Sequence, residues 1–533
     1  MKKNVLALSI ATMVGGLGFA GAANAALSVN ESGAGHILMV PYYTAQNGNM
    51  TVLHVTNTDL ENGKAVKVRF RGASNSDDVL DFQVFMSPGD VWTAAVSKDA
   101  ETGKAKLVTA DNTCTYPPIP AEGIEFVTNR LNQASWNTDA LKAEQTLEGY
   151  VEILTMADIP TASTRAATDD PRLYHAIKHV NGVAPCSTAV LEETLDVKPT
   201  TQSNATLQLA SNTSNDFDLV PPNPIPSLNG QWYVMNVEQT TVYSAAMPAI
   251  SSDATPYNVF SPQDVGAAVL ETADPLMLVG AIAPQYYDVP DLSTPYDADG
   301  TTPELQAENL TNAIVRNAVI NQYASDAEID AKTDWVFSMP TRRYSIAANY
   351  DTTTEAQNRG LTQVSTAGAV LNYRVVNDGV AGNIFTDRTD PADPATAGDF
   401  TSLNNKGQIC ITAGATQFWD REESAPTTPG RNPVFSPGTP TTPNKFELCG
   451  EVSVLAFSAD ESALGAKLSR QNVDAKFVNG WGKISFSTGT GVNAVAQNVP
   501  VLGSAFIKLS NPSAREGVSG TYGLTWAHSY VNP

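Results

Sequence analysis

Short segments of alternating apolar and polar residues dominate the first half of the chain. In Ala65–Phe70 apolar residues alternate with Lys67 and Arg69. Because successive side chains of a strand point to opposite faces, this pattern predicts a strand with one face on a core and the other in water. Further strand-like segments, separated by turn residues, are Met50–Asn57, Asp81–Ser87, Gly149–Thr155 and Gln231–Val237.

The second half of the chain returns to β-favouring segments after one interruption. Its predicted strands are Trp335–Met339, Ala369–Val376, Gly407–Thr412, Glu451–Phe457, Lys483–Ser487, Val501–Leu509 and Tyr522–Tyr530. Many short strands joined by turns are typical of antiparallel sandwiches. The sequence therefore predicts a mainly β protein made of immunoglobulin-like antiparallel β-sandwich domains with a short helical insertion.

The interruption is a segment with helical spacing. Thr302 and Pro303 form a favourable helix start. The apolar residues that recur every four positions after it are Leu310, Ile314 and Ala318. This spacing predicts a helix that continues toward Tyr323. Ser325 and Glu328 have the spacing of a capping box, which predicts a second short helix.

The N-terminus has the three parts of a secretory signal. Lys2 and Lys3 precede an apolar stretch, Val5–Ala20, which is followed by Ala23–Ala25. This order predicts export with cleavage after Ala25. The alternative, an uncleaved anchor, is disfavoured by the glycines and the shortness of the apolar stretch. Because no later segment has the roughly 20 apolar residues of a spanning helix, we expect no transmembrane segment in the mature chain.

These patterns divide the chain into four predicted regions. They are a signal peptide over 1–25, an N-terminal β-sandwich domain over 26–255, an acidic loop and helical segment over 256–345, and a C-terminal β-rich domain over 346–533. The signal predicts an exported protein at the cell surface or in the extracellular medium, with the periplasm as the alternative location.

The composition is acidic but poor in charged residues. Lys and Arg number 32 against 55 Asp and Glu, which gives a formal net charge of −23. This balance excludes a nucleic-acid binder that works through a basic surface. Charged residues make up only 16% of the chain, so the surface must be rich in small polar side chains, as is usual for secreted proteins.

The four cysteines all follow the predicted signal. In an oxidising compartment an even number of cysteines indicates disulfides, and three pairings are possible. We favour Cys114–Cys186 and Cys410–Cys449, because each pair then closes a loop within one half of the chain. A metal role is disfavoured, since the spacing C-x-x-C is absent.

Acidic residues cluster in one turn-rich stretch. Its members are Asp288, Asp291, Asp297 and Asp299, followed by Gly300. Oxygen ligands on such a loop suit Ca²⁺, although the ligand ladder of an EF-hand is absent. The two interpretations are a calcium loop and, more often for such clusters, a solvated acidic turn. Calcium is accordingly the one candidate cofactor.

Two other groups of residues have both a functional and a structural interpretation. His175 and His179 would share one face of a helix as metal ligands, whereas a structural or exposed role is the commoner outcome. Four tryptophans beside predicted strands are candidates for carbohydrate-stacking platforms, with core packing as the alternative. They are Trp92, Trp335, Trp481 and Trp526.

Scattered motifs resemble one group of proteins. Those in the first half are Val40–Tyr43, Thr51–Asn57, Ala65–Phe70, Leu80–Trp92 and Gly149–Glu152. Those in the second half are Thr333–Val336, Pro340–Arg343 and Asn479–Trp481. Together they resemble exported cell-surface, surface-layer-like proteins of Gram-negative bacteria. The resemblance implies a cell-envelope protein without known catalysis, and it brings no catalytic residues to this chain.

Three functional classes follow from these observations. The first is a non-catalytic cell-surface structural protein, a self-assembling surface-layer or fibre subunit whose acidic faces Ca²⁺ bridges; its partners would be further copies of the chain and other envelope components. The second is a secreted or periplasmic protein that binds carbohydrate or another envelope component. The third is a hydrolase with paired carboxylates, and no catalytic residue stands out for it.

Overall fold

The computed structural model describes residues 27–128, 131, 138–162, 172–195, 220, 222–252, 310–341, 346–349, 362–366, 369–375, 401–403, 408–413, 415–422, 446–457, 461–473, 475, 477–488, 495–496, 499–516 and 518–532. The predicted signal peptide and its cleavage site at Ala25 lie outside these residues. The described part of the chain is mainly β, as the sequence predicts, and its strands form several antiparallel sheets.

The elements of the first half follow one another in chain order. The strands are β1 Leu27–Val29, β2 Ala34–Gly35, β3 Ile37–Thr44, β4 Asn49–Asn57, β5 Asn62–Gly72, β6 Asp78–Met86, β7 Val91–Lys98, β8 Ala105–Val108, β9 Cys114–Tyr116, β10 Ile124–Glu125, β11 Glu148–Pro160, β12 Leu228–Asn236, β13 Thr241–Ala246 and β14 Ala249–Ser252. The helices are α1 Asp139–Gln145, α2 Arg172–Ile177 and α3 Thr188–Leu195.

The elements of the second half are also mostly strands. They are β15 Val315–Arg316, β16 Ala318–Ala324, β17 Lys332–Ser338, β18 Ile346–Asn349, β19 Thr362–Thr366, β20 Ala369–Val375, β21 Thr401–Leu403, β22 Ile409–Ala413, β23 Ala415–Trp419, β24 Phe446–Cys449, β25 Val452–Ala456, β26 Arg470–Asn472, β27 Asn479–Ser485, β28 Ser487–Thr488, β29 Val495–Ala496, β30 Val499–Pro500, β31 Ser504–Arg515, β32 Val518–Ala527 and β33 Ser529–Val531.

Two large sheets form the first half. Sheet A has the described strand order β1-β14-β3-β11-β5-β6-β9, and sheet B has the order β10-β8-β7-β4-β12-β13, with β2 beside β12. Apolar side chains of both sheets, such as Val68 on β5 and Trp232 on β12, belong to one buried cluster. Two sheets around a shared core make this half sandwich-like.

The polar face of β5 differs from the prediction. The apolar residues Val66, Val68 and Phe70 enter the core as expected. Lys67 and Arg69, however, are buried instead of facing water. Buried charges require partners, and β5 has them: Lys67 pairs with Asp81 on β6 at 2.9 Å. Arg69 and Arg71 both pair with Glu152 on β11, at 2.9 and 3.1 Å.

Two facing sheets also organise the second half. Sheet H has the described order β26-β25-β17-β31-β32, and sheet G has the order β23-β27-β16-β33. Trp335 of sheet H and Ile484 of sheet G lie in one buried cluster between them. The opposite face of sheet H packs on the first half, because Val336, Val454 and Phe506 belong to the core of sheets A and B.

The predicted long helix ends early. Residues 310–314 are helical, but β15 and β16 follow, so the prediction of helix as far as Tyr323 is wrong. Ala318–Ala324 is rich in β-favouring residues and pairs with both β27 and β33, which outweighs the four-residue spacing. The predicted second helix is a single 3-10 turn, Ala327–Ile329, capped by Asp326 rather than Ser325.

Both favoured disulfides are present. Cys114–Cys186 spans 72 residues and joins β9 to the loop between α2 and α3. Cys410–Cys449 spans 39 residues and joins directly opposite positions of β22 and β24. Within the described residues, no helix has the length and apolar character needed to cross a bilayer. The predicted domain boundaries at 255 and 345 stay predictions.

Candidate functional site

A strip of apolar side chains is exposed on the last described strand of sheet H. It consists of Tyr522, Leu524 and Trp526, whose exposed fractions are 63%, 38% and 39%; we call it the β32 strip. These alternate residues point to the same face of β32. Across the ladder Leu524 pairs with Ile507, which is buried. The apolar face of sheet H thus continues beyond the part that sheet G covers.

The other face of β32 is held close to the first half. A Cβ atom added at Gly523 would lie only 2.2 Å from the carbonyl oxygen of Val242 on β13. Only glycine allows this approach of the two strands without displacement. Because Gly523 faces β13, its neighbours Tyr522 and Leu524 point away from the protein. The close contact therefore fixes the orientation of the strip.

The four candidate tryptophans fall into two groups. Trp92 and Trp335 are buried and pack in the two cores. Trp526 belongs to the β32 strip. Trp481 on β27 is 36% exposed and stacks on Trp419 of β23, with ring centroids 4.1 Å apart and planes 12° from parallel. Core packing accordingly accounts for two of the four, and the outer face of sheet G carries one aromatic pair.

Polar side chains surround that aromatic pair. Gln322 on β16 lies directly across from Trp481, and Gln417 precedes Trp419 by two residues on the same face of β23. Lys483 is the ladder partner of Gln417. An aromatic surface bordered by amide and ammonium groups can stack on an apolar sugar face and donate hydrogen bonds to hydroxyl groups.

A loop of the second half is bound by a carboxylate of the first half. Glu148 is fully buried at the start of β11. Its Oε1 accepts from the backbone N–H groups of Lys467 and Leu468, at 2.6 and 3.1 Å. Its Oε2 accepts from the Ser469 hydroxyl group. Charge-assisted hydrogen bonds of this kind are stronger than neutral ones, so Glu148 fixes the loop in position.

A second buried carboxylate also binds this loop. Asp334 on β17 accepts from the hydroxyl group of Ser462 and from the N–H of Leu464, the latter at 2.9 Å. Burial raises the pKa of Asp334 to about 6, although these hydrogen bonds oppose the shift. The loop 461–469 is therefore held between one carboxylate from each half.

This loop forms one wall of a polar cavity of about 280 Å³. The first half contributes four amide side chains, among them Asn236 and Gln239. The second half contributes the cations Lys467, Arg470 and Lys508, with Glu461 as the acidic residue of the lining. A concentration of cations is unexpected in a chain of net charge −23.

The other predicted site residues are not assembled by the described structure. The acidic cluster Asp288, Asp291, Asp297 and Asp299 lies outside the described residues. His175 is on α2, but the helix ends at Ile177, and His179 instead lies 3.7 Å from Asp90. The described residues contain one group of three side chains of metal-ligating type, Cys410, Glu447 and Cys449. Its two sulfur atoms form a disulfide and are not thiolate ligands.

Comparisons of this chain with protein-family models, with curated proteins and with solved structures find no match. Function must therefore be inferred from the contacts, burial and charge of the described residues. Sequence reasoning included Trp481 and Trp526 but missed Tyr522 and Leu524, although their alternation was visible. It also missed Glu148 and the cavity cations, because Glu148 lies 319 positions from Lys467 and Gln239 lies 269 positions from Lys508.

Proposed function

We propose that the protein is a non-catalytic, exported cell-surface structural protein that associates with further copies of itself. The observation that carries the proposal is the β32 strip, an apolar sheet face left exposed at the end of sheet H. The proposal includes the predicted export and the immunoglobulin-like character of the sandwiches. The antiparallel sheet pairs and two disulfides are compatible with both.

The strip has the properties of a contact surface between copies. Exposed strands at sheet edges are liable to pair with other chains, and soluble proteins usually place charges there. The exposed face of β32 instead carries a tyrosine, a leucine and a tryptophan, and aromatic residues are enriched at protein interfaces. A second copy of the chain is the proposed occupant, because two identical strips bury each other in an isologous contact.

An uncharged contact also fits the electrostatics. Copies with a net charge of −23 repel one another, and contact through neutral side chains avoids bringing carboxylates together. This contact requires no calcium, so association should survive a chelator. Bridging by Ca²⁺ through Asp288, Asp291, Asp297 and Asp299 stays a prediction that the same chelator experiment tests.

The decisive experiment introduces positive charge into the strip. In Tyr522→Lys/Leu524→Lys the net negative charge falls by two, so general repulsion between copies becomes weaker. If the strip is the contact, association should nevertheless be lost, because two ammonium groups replace the apolar surface. Light scattering coupled to size-exclusion chromatography, over a range of protein concentrations, measures the molar mass.

The matched control places the same charges elsewhere. Leu60 and Ile225 are also exposed apolar residues, at 80% and 74%, and both lie in the first half. Leu60→Lys/Ile225→Lys should associate like the unchanged chain. A chain that is monomeric at every concentration would overturn the proposal, as would equal association of the two variants.

A second candidate function is carbohydrate binding, which the Trp419–Trp481 pair favours. Trp481→Ala should abolish retardation of the protein in gels that contain a soluble polysaccharide, while Trp526→Ala, with similar exposure, should not. The gels contain, one at a time, the members of a panel of neutral and acidic polysaccharides. Absence of retardation with every member would exclude this function.

A further inference from the structure

The polar cavity between the two halves has an unusual charge. Lys467, Arg470 and Lys508 line it, against Glu461 as the acidic residue of the lining. Glu461 is already engaged, because its carboxylate accepts from the Lys332 ammonium group outside the lining. Cations in a concave, partly desolvated site raise the local concentration of anions. The cavity is thus a positive site within an acidic protein.

Lys508 is the most informative of the three cations. Its ammonium group donates to the neutral amide oxygen of Gln239 at 2.6 Å. Burial, and after it the nearby charge of Lys332, lower the pKa of Lys508. A lysine in such a place gains from an anion more than an exposed lysine does, because the anion offsets both costs.

The wall that carries the other two cations is fixed in advance. Glu148 accepts from the backbone N–H of Lys467 itself, and Asp334 binds the same loop three residues earlier, at Leu464. Arg470 follows directly as the first residue of β26, which pairs with β25. Preorganised groups lose less conformational freedom on binding, which favours affinity for a small ligand.

We propose that this cavity binds a small anion of the carboxylate or phosphate class, seated among Lys467, Arg470 and Lys508. At about 280 Å³ the cavity is at the small end of ligand pockets, which suits one sugar-sized molecule and not a polymer. Gln239 and the asparagine amides supply donors and acceptors for hydroxyl groups. The ligand would contact both halves of the chain at once.

Calorimetric titration of the full chain tests this site with three probes. Sodium glucuronate represents hydroxylated carboxylates, inorganic phosphate represents phosphates, and glucose is the neutral control. Binding of either anion, without binding of glucose, is expected. The anion that binds shows whether the ligand is a carboxylate or a phosphate. The bound anion should also raise the melting temperature, because it binds the folded state.

The variants locate the binding. Lys508→Gln and Lys467→Gln should each weaken anion binding about tenfold, the usual effect of losing one charge-assisted hydrogen bond. Lys98→Gln, which removes an exposed lysine of β7 outside the cavity lining, should bind as the unchanged chain does. Because Lys467 is exposed, its variant should fold normally even if Lys508→Gln does not.

Three outcomes would overturn the proposal. The first is that neither anion binds at millimolar concentration, and the second is that glucose binds equally well. The third is that Lys467→Gln and Lys508→Gln bind anions as tightly as Lys98→Gln does, which would place the anion elsewhere on the surface. None of these outcomes depends on association between copies of the chain.

Discussion

Strands β5 and β32 depart from the expected burial of their faces in opposite directions. On β5 the face with Lys67 and Arg69 is buried, although its charges predict exposure. On β32 the face with Tyr522 and Leu524 is exposed, although its apolar character predicts burial. Both strands alternate with a period of two. The pattern therefore locates the strand but does not determine which of its faces is exposed to solvent.

The difference lies in what the chain provides for each face. The cations of β5 have carboxylate partners on neighbouring strands, so their burial is complete within one molecule. The β32 strip extends past the cover that sheet G gives to sheet H. Burial of a polar face therefore depends on partners within the chain, and the exposed apolar face of β32 is where the proposed contact with a second copy would lie.

The largest expected effect concerns the carboxylate between two buried arginines. Glu152→Gln would leave the guanidinium groups of Arg69 and Arg71 without the negative charge that they now share. Loss of one member of a buried ion pair costs about 3 to 5 kcal/mol of stability. Urea unfolding at neutral pH measures the loss.

The control for this variant is an exposed pair in the same half. Glu125 pairs with Lys104 at 3.1 Å, and both side chains are about one-third exposed. Glu125→Gln should change the free energy of unfolding by less than about 1 kcal/mol. Equal losses in the two variants would mean that burial of the β5 face is not what makes Glu152 important.

The next effect concerns pH, through two buried groups of the second half. Burial lowers the pKa of His528 to about 4, below its usual 6.5, despite its hydrogen bond to the Val336 carbonyl. The contribution of the neutral His528 side chain to the stability of the fold is therefore complete above pH 6.5, and it is lost as the pH falls to about 4. The pKa of Asp334 is raised to about 6, so its contribution has the opposite sign and is lost as the pH rises through 6.

The two variants should therefore diverge between pH 6.5 and 4. In His528→Gln the unfolded state no longer gains a proton in this window, so the stability advantage of the unchanged chain over the variant should shrink by about 3 kcal/mol on acidification. In Asp334→Asn that advantage should instead grow on acidification. Urea unfolding at several pH values measures both, and slopes of the same sign would contradict the assignment.

Sequence reasoning succeeded where short-range pattern determines structure. The alternation in Ala65–Phe70 located β5, and the loop argument gave both disulfide pairs. It failed for Ala318–Ala324, where Ile314 and Ala318 keep helical spacing but pairing with β27 decides the outcome. The local spacing of apolar residues carries no information about pairing with a strand that lies about 160 residues further along the chain.

The candidate sites were less accessible for the same reason. Trp481 and Trp526 could be chosen because tryptophan beside a strand is conspicuous, but burial separates them from Trp92 and Trp335. The cavity joins the neighbourhood of Gln239 to that of Lys467, and no local spacing connects those two segments. The net charge indicated only an acidic protein, and it gave no sign of the positively charged cavity.

A smaller effect is expected where β32 meets the first half. In Gly523→Ala the new methyl group would collide with the Val242 carbonyl oxygen, which overpacks the contact and should cost about 1 to 3 kcal/mol. Gly72→Ala is the control, because its nearest neighbour would lie at an ordinary 3.7 Å. Thermal unfolding compares the two, and equal melting temperatures would show that β32 moves freely relative to β13.

The smallest expected effect on stability belongs to the β32 strip itself. Tyr522→Lys removes a whole aromatic ring, yet the ring is mostly in solvent, so the free energy of unfolding should change by no more than about 0.5 kcal/mol. Ile507→Val removes a single carbon from the buried part of the same face and should cost about 1 kcal/mol. Both are measured by urea unfolding of dilute protein, where copies do not meet. If Tyr522→Lys costs more than Ile507→Val, the tyrosine serves folding, and the case for association through this strip fails. If it costs less, the ring contributes little to the stability of the isolated chain, as association through this strip requires.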